Sequence, residues 1–274
     1  MATDREVLRI VWDGQIPAVI HADPEEVDIQ QPEDFYLIFP RLSYLPLVSD
    51  KVKKYFQKYV NNQQLDAGNI WFDYNGTPLK LHYPIGVLYD LTHREDEGLP
   101  WRLTIHFTKF PEDVLVKFST KDILESHFLS CLKEADVLKH RGQIISAMTK
   151  KDHNQLWLGL VNDKFDQFWA VNRRLMESCS SNGNGSDECF KHIPVRLYNE
   201  DGTFTQKLIS PINETGQRRT LHEMLEEISN TDKQAVAVRT HGVFVHEETP
   251  IQWMSEHLSY PDNFLHLHII YKEI

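Results

Sequence analysis

The stretch 119–176 constrains the fold most, because it contains no proline and repeats its apolar residues at helical spacing. Ser119 and Asp122 have the spacing of an N-terminal capping box, so we expect a helix to begin there. Apolar residues then recur at alternating steps of four and three, which puts them on one buried stripe: Leu124, Phe128, Cys131, Ala135, Leu138, Gly142 and Ile145. A second helical pattern carries four large aromatic residues: Trp157, Phe165, Phe168 and Trp169. We therefore predict a helical hairpin with its turn near 150–153.

Lys133 stands out by its position on the first of these helices. It follows Cys131 by two residues, so it lies about 200° around the axis and faces away from the buried stripe. Leu129 and Val137, four residues before and after it, share its face. A lysine between two apolar residues is a possible docking site, although a solvated lysine beside scattered surface apolar residues is the more common arrangement.

Composition excludes several classes of protein. The 274 residues are enough for two or three small domains, and a hydrophobic content of 41% is that of a soluble globular protein. A formal charge of −11 argues against general nucleic-acid binding, which needs a dense basic field. The charged first residues lead into no apolar signal core, and no segment approaches the roughly 18 apolar residues of a membrane span. We therefore expect neither a secretion signal nor a spanning helix.

The residues before the helical stretch predict one sheet-containing domain. An amphipathic helix over 5–12 precedes a series of elements in the order strand, strand, helix, strand, strand, short helix, strand. We place them at 16–22, 35–39, 46–60, 70–74, 79–82, 84–91 and 101–107, with a solvated acidic loop over 23–34. This is the order of the β-grasp, or ubiquitin-like, fold, in which a helix crosses a mixed sheet.

The residues after the helical stretch repeat that order. The Ser/Asn/Gly-rich segment 177–191 has a linker composition. Strands are predicted near 193–197, 204–209, 235–239 and 265–269, and helices over 221–228 and 250–258. We therefore predict an α+β fold in which two ubiquitin-like domains flank a helix-rich domain, with boundaries at 1–112, 113–178 and 192–274.

Motifs for catalysis and for metal binding are absent from the sequence. It contains no GxSxG, P-loop, GxGxxG or HExxH motif. His266 and His268 share one strand face, but such a pair is more often half-buried and hydrogen-bonded than metal-bound, and no third ligand is near in sequence. We therefore expect no catalytic residue, no metal and no cofactor.

The three cysteines, Cys131, Cys179 and Cys189, form no CxxC motif, and we expect reduced thiols in the cytosol. Cys131 falls on the buried stripe, where an apolar site leaves a thiol inert. The chain ends in Tyr-Lys-Glu-Ile and not in Gly-Gly, so we expect that neither ubiquitin-like domain is itself conjugated as ubiquitin is.

Several long runs of residues resemble the autophagy protein 5 family, over essentially the whole chain. In the first domain they are Pro40-Arg41-Leu42-Ser43-Tyr44-Leu45, Asp50-Lys51-Val52-Lys53-Lys54, Gly76-Thr77-Pro78-Leu79-Lys80 and Tyr83-Pro84-Ile85-Gly86. In the helical region they are Ser130-Cys131-Leu132-Lys133-Glu134-Ala135-Asp136 and Phe165-Asp166-Gln167-Phe168-Trp169-Ala170. The most distinctive run begins Gln252-Trp253-Met254-Ser255-Glu256-His257 and ends Tyr260-Pro261-Asp262-Asn263-Phe264.

The resemblance implies that Lys133 accepts an isopeptide bond from the C-terminal glycine of the ubiquitin-like autophagy protein 12. An activating and a conjugating enzyme of that system would supply it. The conjugate would bind a helix of autophagy protein 16 in a groove between the domains and promote lipidation of the ubiquitin-like autophagy protein 8. The resemblance implies a non-catalytic scaffold that is cytoplasmic and peripheral on the phagophore membrane.

Five residues are candidates for partner contacts. Leu129 and Val137 would give the donor a surface beside Lys133, and Arg41, Leu42 and Tyr44 follow a predicted strand, where arginine and tyrosine are common interface anchors. An alternative places Arg41 at the surface as a plain charge and Tyr44 in the core.

Two functions of other classes stay open on the residues alone. The chain would be a cysteine enzyme if Cys131 worked with a nearby histidine. It would be a plain adaptor if it carried no covalent modification.

Overall fold

The computed structural model describes residues 4–27, 32–60, 70–93, 97–118, 120–177, 190–199, 202–229 and 233–273. The chain divides into two compact units. The N-terminal unit is Asp13–His127, and the C-terminal unit joins Met1–Trp12 to Phe128–Ile274. Helix α1 (Arg5–Trp12) forms as predicted, but it belongs to the C-terminal unit and not to the first sheet-containing domain, with which the predicted boundaries grouped it.

A five-stranded mixed sheet forms the frame of the N-terminal unit. Its elements in chain order are β1 (Gln15–Ala22), β2 (Phe35–Pro40), α2 (Leu45–Val48), α3 (Asp50–Phe56), β3 (Trp71–Tyr74), β4 (Thr77–Pro78), α4 (Ile85–Thr92) and β5 (Trp101–His106). The strand order is β2-β1-β5-β3-β4, with β1 and β5 parallel at the centre. Val52 and Phe56 on α3 are fully buried, so this helix covers the apolar side of the sheet as the β-grasp order predicts.

Two local predictions for this unit are wrong. The helix expected over 46–60 is broken at Ser49, and a single 3₁₀ turn, Gln57–Tyr59, follows α3. No strand forms over 79–82, and the two-residue β4 just before it pairs with β3 across a tight turn. Asn75 and Gly76 both have positive φ, 50° and 79°, as a two-residue hairpin turn of this kind requires.

The acidic loop expected to be solvated over 23–34 is partly buried where the structure describes it. Residues 28–31 lie outside the described residues. Glu26 is only 6% exposed, because its carboxylate accepts hydrogen bonds from the backbone N–H groups of Phe107 and Thr108. This side chain therefore anchors the loop after β1 to the end of β5.

The predicted helical hairpin is wrong in its connections, because four helices replace two. They are α5 (Lys121–His140), α6 (Gln143–Ser146), α7 (Lys150–Val161) and α8 (Phe165–Met176). Helix α5 ends at Arg141 and Gly142, which have φ angles of 58° and 78°. The predicted turn at 150–153 is instead the start of α7, where Thr149 and Asp152 form a capping box.

The predicted start of α5 is displaced by a residue. Ser119 lies outside the described residues, and the oxygen that caps the first turn is Thr120 Oγ1, which accepts from the backbone N–H of Ile123 at 3.4 Å. The predicted buried stripe is confirmed at Leu124, Phe128 and other positions along α5. Of the four aromatic residues in the second helical pattern, Trp157, Phe165 and Phe168 are buried, whereas Trp169 is only partly buried.

A second five-stranded sheet completes the C-terminal unit. Its elements are β6 (Ile193–Tyr198), β7 (Phe204–Ile209), α9 (Leu221–Ile228), β8 (Lys233–Thr240), β9 (Val243–Phe244), α10 (Ile251–His257) and β10 (Leu265–Glu273). The strand order, β7-β6-β10-β8-β9 with β6 and β10 parallel, repeats that of the first sheet. The predicted capping box of Thr220 and Glu223 is present at α9, whereas the short strand β9 was not predicted.

The fold is therefore the predicted α+β one, with two ubiquitin-like domains on either side of a helix-rich region in the sequence. Most of the predicted linker, residues 178–189, lies outside the described residues, and so do Cys179 and Cys189. Among the described residues, no helix has both the length and the apolar character that crossing a bilayer requires.

Candidate functional site

Helix α5 presents Lys133 to solvent near the middle of the chain. The neighbouring positions Cys131, Leu132 and Ala135 are all at most 5% exposed, so the helix is held firmly from its other side. Lys133 itself is exposed, as its helical phase predicts. Its amine can therefore reach a reagent delivered from outside the protein.

The apolar residues predicted on the same face are in place. Val137 is 56% exposed, and Leu129 is partly buried. Together with Lys133 they form what we call the lysine face, defined as Leu129, Lys133 and Val137. This face offers an amine between two apolar contacts to an incoming protein.

Glu134, next to Lys133, fixes α5 against the second sheet. Its Oε1 accepts a hydrogen bond from Gln206 Nε2 at 2.8 Å, and its Oε2 lies 3.6 Å from Arg196 Nη2. Gln206 is on the edge strand β7 and Arg196 on the neighbouring β6. These contacts hold the lysine face at a fixed place beside the sheet. No local pattern predicts these contacts, because the paired residues lie 62 to 72 positions apart.

A buried charged cluster lies beneath this part of α5. Arg196 is 8% exposed, and its guanidinium packs over the ring of Phe264 at 3.9 Å and lies 3.7 Å from Asp262. Burial alone would lower the pKa of Arg196, but Asp262, Cys131 and Tyr198 together outweigh that effect, and the pKa of the guanidinium is raised. Asp262 in turn lies 3.0 Å from His266 Nε2. The cluster is therefore a structural support that joins α5 to β6 and β10.

Cys131 is not a nucleophile in this structure. It is 5% exposed, and its Sγ lies 3.6 Å from Arg196 Nη2. Burial, and the nearby negative charge of Asp262, raise the pKa of the thiol to about 11 despite the arginine. A thiol that stays protonated at neutral pH is inert, as predicted for a cysteine on the buried stripe.

The ring nitrogens of His266 have hydrogen-bond partners in the second sheet-containing domain. His266 is 3% exposed, and its two ring nitrogens contact Tyr198 Oη at 2.8 Å and Asp262. Burial lowers the pKa of His266 although Asp262 opposes this effect. His266 is therefore hydrogen-bonded, as the alternative to a metal-binding pair predicts, and it is fully buried and not half-buried.

Arg41, Leu42 and Tyr44 are buried in the N-terminal unit, with exposed fractions of 8%, 5% and 1%. Arg41 Nη2 forms an ion pair with Asp90, and the guanidinium lies 5.4 Å from the ring centroid of Tyr89. The expected surface placement of Arg41 is therefore wrong, whereas the alternative of Tyr44 as a core residue is correct. A contribution of these residues to partner binding stays a prediction.

Three family models match successive parts of the chain. They are the UblA domain of autophagy protein ATG5 at residues 11–107, its α-helical bundle region at 121–178 and its UblB domain at 192–269. Together they span all three predicted segments and most of the chain.

Full-length relatives agree with the family models. The chain is 63% identical to autophagy protein 5 of Drosophila melanogaster over 100% of both chains. It is 32% identical to autophagy-related protein 5 of Caenorhabditis elegans, over 96% of this chain and 97% of that one. The crystal structure of Kluyveromyces marxianus Atg5 superposes with a TM-score of 0.80, at 21% identity, over 97% of this chain and 99% of that chain. At that level of identity the structural match supports the fold alone.

Proposed function

Because this chain belongs to the autophagy protein 5 family, we propose that it is a non-catalytic scaffold of an autophagy ligase complex. Its role in autophagy follows from the family. The finer proposal is that Lys133 carries the covalent link to the ubiquitin-like autophagy protein 12, which the activating and conjugating enzymes of that system deliver.

The proposed bond is an ordinary acyl transfer. The neutral Nζ of Lys133 attacks the thioester carbonyl between the C-terminal glycine of autophagy protein 12 and the cysteine of the conjugating enzyme. A C–N bond forms, the C–S bond breaks and the enzyme's thiolate leaves, while the proton lost by the amine passes to solvent or to a base of the conjugating enzyme. This chain therefore needs to supply an accessible amine and a docking surface, and no catalytic group.

The single observation that supports this proposal best is the exposed amine at the centre of the lysine face. Lys133 lies in the run Ser130 to Asp136 that resembles the family, and Val137 beside it is 56% exposed. The buried side of α5, with Phe128, Leu132 and Ala135 at 0% exposure, holds the helix in place when a donor docks. A fixed acceptor lowers the entropic cost of aligning the two reacting groups.

The remaining parts of the proposal concern the conjugate. It binds a helix of autophagy protein 16 and promotes lipidation of the ubiquitin-like autophagy protein 8. We place this activity in the cytoplasm and peripherally on the phagophore membrane. These partners follow from the family resemblance of the whole chain and not from a single contact.

The test is reconstitution of the conjugate from purified components. With the activating and conjugating enzymes, autophagy protein 12 and ATP, the wild-type chain should acquire a heavier band on a denaturing gel. Lys133→Arg keeps the charge but cannot form the isopeptide, so the band should disappear while binding of the autophagy protein 16 helix is retained. Lys150→Arg, an exposed lysine at the start of α7, is the matched control and should conjugate normally. A heavy band of wild-type intensity in Lys133→Arg would refute the acceptor assignment.

The same assay separates the two alternatives. A cysteine enzyme would lose its activity in a folded Cys131→Ser variant, whereas the proposal expects that variant to be conjugated normally. A plain adaptor would remain a single band at its own mass in every reaction.

A further inference from the structure

A cluster of carboxylates surrounds one histidine at the end of β5, far along the chain from the lysine face. His106 Nδ1 lies 3.1 Å from Asp23 Oδ2 and 3.7 Å from Glu26 Oε1. The three ligand-type atoms all fall within 4.8 Å of one another. The cluster is partly buried, with side-chain exposures of 10% for His106, 24% for Asp23 and 5% for Glu26.

These separations are close to those of ligands around one metal ion. Nitrogen and oxygen ligands about 2.0–2.2 Å from a tetrahedral zinc lie about 3.4 Å from each other. The two distances from His106 Nδ1 fall on either side of that value. A metal at the centre would need only modest side-chain adjustments, because no two of the three ligand atoms are more than 4.8 Å apart.

A fourth residue, Asp73, supplies the outer support that metal-bound histidines have. His106 Nε2, the nitrogen that faces away from Asp23 and Glu26, lies 2.5 Å from Asp73 Oδ2. Trp71 stacks on the imidazole, with ring centroids 3.9 Å apart and planes 11° apart. A carboxylate that accepts from the distal N–H sets the tautomer and ring orientation that point Nδ1 at a metal. Asp73 and Trp71 lie on β3 and not on the turn that carries Asp23 and Glu26. Their contacts with His106 also favour a metal ion at Nδ1.

The carboxylate of Glu26 is also held in place by hydrogen bonds. Glu26 Oε2 accepts from the backbone N–H of Phe107 at 2.6 Å, and its Oε1 accepts from Thr108 Oγ1 at 2.5 Å. Among the described residues, no lysine or arginine forms an ion pair with Asp23, Glu26 or Asp73. The three carboxylates therefore have one imidazole as their shared counterpart, and a divalent cation would balance their charge better than a proton does.

We propose that Asp23, Glu26 and His106 form a binding site for a divalent transition metal, with zinc as the best match, and that Asp73 orients the histidine. Three protein ligands leave a fourth position for water, and the partial exposure of Asp23 gives the ion a route of entry. The bound ion would tie the turn after β1 to the ends of β3 and β5. Its role in the N-terminal unit is therefore structural, and it is independent of conjugation at Lys133.

The test is equilibrium dialysis of the full chain, stripped with a chelator, against zinc chloride and, in parallel, cobalt chloride. We expect one saturable zinc per chain and the intense visible absorption of tetrahedral cobalt. Asp23→Asn keeps the shape of a partly exposed side chain and should weaken zinc binding at least about tenfold. Glu26→Gln serves as a second ligand variant, and circular dichroism confirms that each variant is folded.

The matched control is Asp34→Asn. Asp34 also pairs with a histidine, His21, at 3.4 Å in the same unit, but within the described ranges no third ligand joins this pair. Zinc binding should be unchanged in that variant. Absence of one-to-one binding in the wild type, or equal affinity in Asp23→Asn, Glu26→Gln and Asp34→Asn, would overturn the proposal and leave the cluster as a buried imidazolium ion.

Discussion

Lys139 shows at the scale of one residue how burial changes a charge. It is 3% exposed in the C-terminal unit, its Nζ lies 3.2 Å from Met176 Sδ, and it packs over the ring of Phe190 at 4.7 Å. Burial lowers its pKa to about 7, although three carboxylates oppose this shift: Glu256 on α10, Asp136 on α5 and Asp262 before β10. The lysine is therefore partly neutral at physiological pH, and His140 beside it also has its pKa lowered by burial.

This shift predicts how stability depends on pH. Between about pH 7 and pH 10.5, the ordinary pKa of lysine, Lys139 is protonated in the unfolded chain and neutral in the folded chain. The contribution of Lys139 to the free energy of unfolding therefore rises with pH in that range. Below pH 7 both states are protonated, and the full cost of burying the charge remains. Lys139→Met should remove this slope, which amounts to at most about 1.4 kcal/mol per pH unit.

Urea denaturation of the wild type and Lys139→Met from pH 6 to pH 10 measures this effect. The difference between the two proteins isolates the lysine from the other titrating groups. Lys133→Met, at an exposed position of the same helix, is the control and should run parallel to the wild type. Parallel curves for Lys139→Met would show that its pKa is not lowered by folding.

The burial or exposure of single side chains was predictable only where the helical period of the sequence determines it. The exposure of Lys133 and the burial of Cys131 follow from the helical phase of α5. Contacts such as the one between His106 and Asp23 were not predictable, since neither residue carries a local sign of its partner. The ion pair between Arg41 and Asp90 was not predictable either. Without knowledge of that partner, a buried arginine cannot be distinguished from an exposed one.

At the scale of the elements, the close contact of α7 and α8 determines which aromatic side chain of α8 is buried. Gly159 allows this contact, because a Cβ there would lie 2.8 Å from the backbone nitrogen of Phe168. Phe168 is 1% exposed and meets Trp12 at a centroid distance of 5.1 Å, whereas Trp169 is only partly buried. The side chain that fills this contact is therefore Phe168 and not Trp169.

We predict different costs for truncating these two neighbours. Phe168→Ala should lower the free energy of unfolding by about 3–5 kcal/mol, because it leaves a cavity in a fully packed site. Trp169→Ala should cost clearly less, since part of its ring already faces solvent. Urea denaturation of both variants at one pH tests the order, and a larger loss for Trp169→Ala would contradict it.

Elements were predictable in type and less so in extent. Alternation of apolar residues identified the main strands of both sheets, because one face of each strand is buried. Breaks in helices were missed where the cause is a backbone conformation, as at Arg141 and at Asp163, whose φ angles are 58° and 51°. Neither residue type requires a left-handed conformation, so the sequence does not mark these ends.

At the scale of the whole molecule, the repeated order of elements was sufficient to predict two similar sheets. Each sheet has parallel central strands with antiparallel strands on both sides. The grouping of elements into units was less predictable, because an amphipathic helix shows which face it buries and not what covers that face. Helix α1 precedes β1 in the chain by only two residues, yet it belongs to the other unit.

The contacts of α1 explain that grouping. Trp12 is 5% exposed and packs against Phe165 and Phe168 of α8, with ring centroids 5.8 Å and 5.1 Å away. Val11 packs against the core of the second sheet, and Arg9 lies 4.7 Å from the ring centroid of Phe165. The first helix therefore completes a core whose other members begin at residue 128.

Trp12→Ala should accordingly destabilise the C-terminal unit and leave the first sheet intact. The expected loss is about 3–5 kcal/mol, as for other large aromatic residues removed from a core. Hydrogen exchange followed by mass spectrometry should show faster exchange in α8 and α10, while β1 and β5 exchange as in the wild type. Ile10→Ala, an exposed position of the same helix, is the control and should leave every segment unchanged. Faster exchange confined to β1 and β5 in Trp12→Ala would instead place α1 with the first sheet, as its position in the sequence suggests.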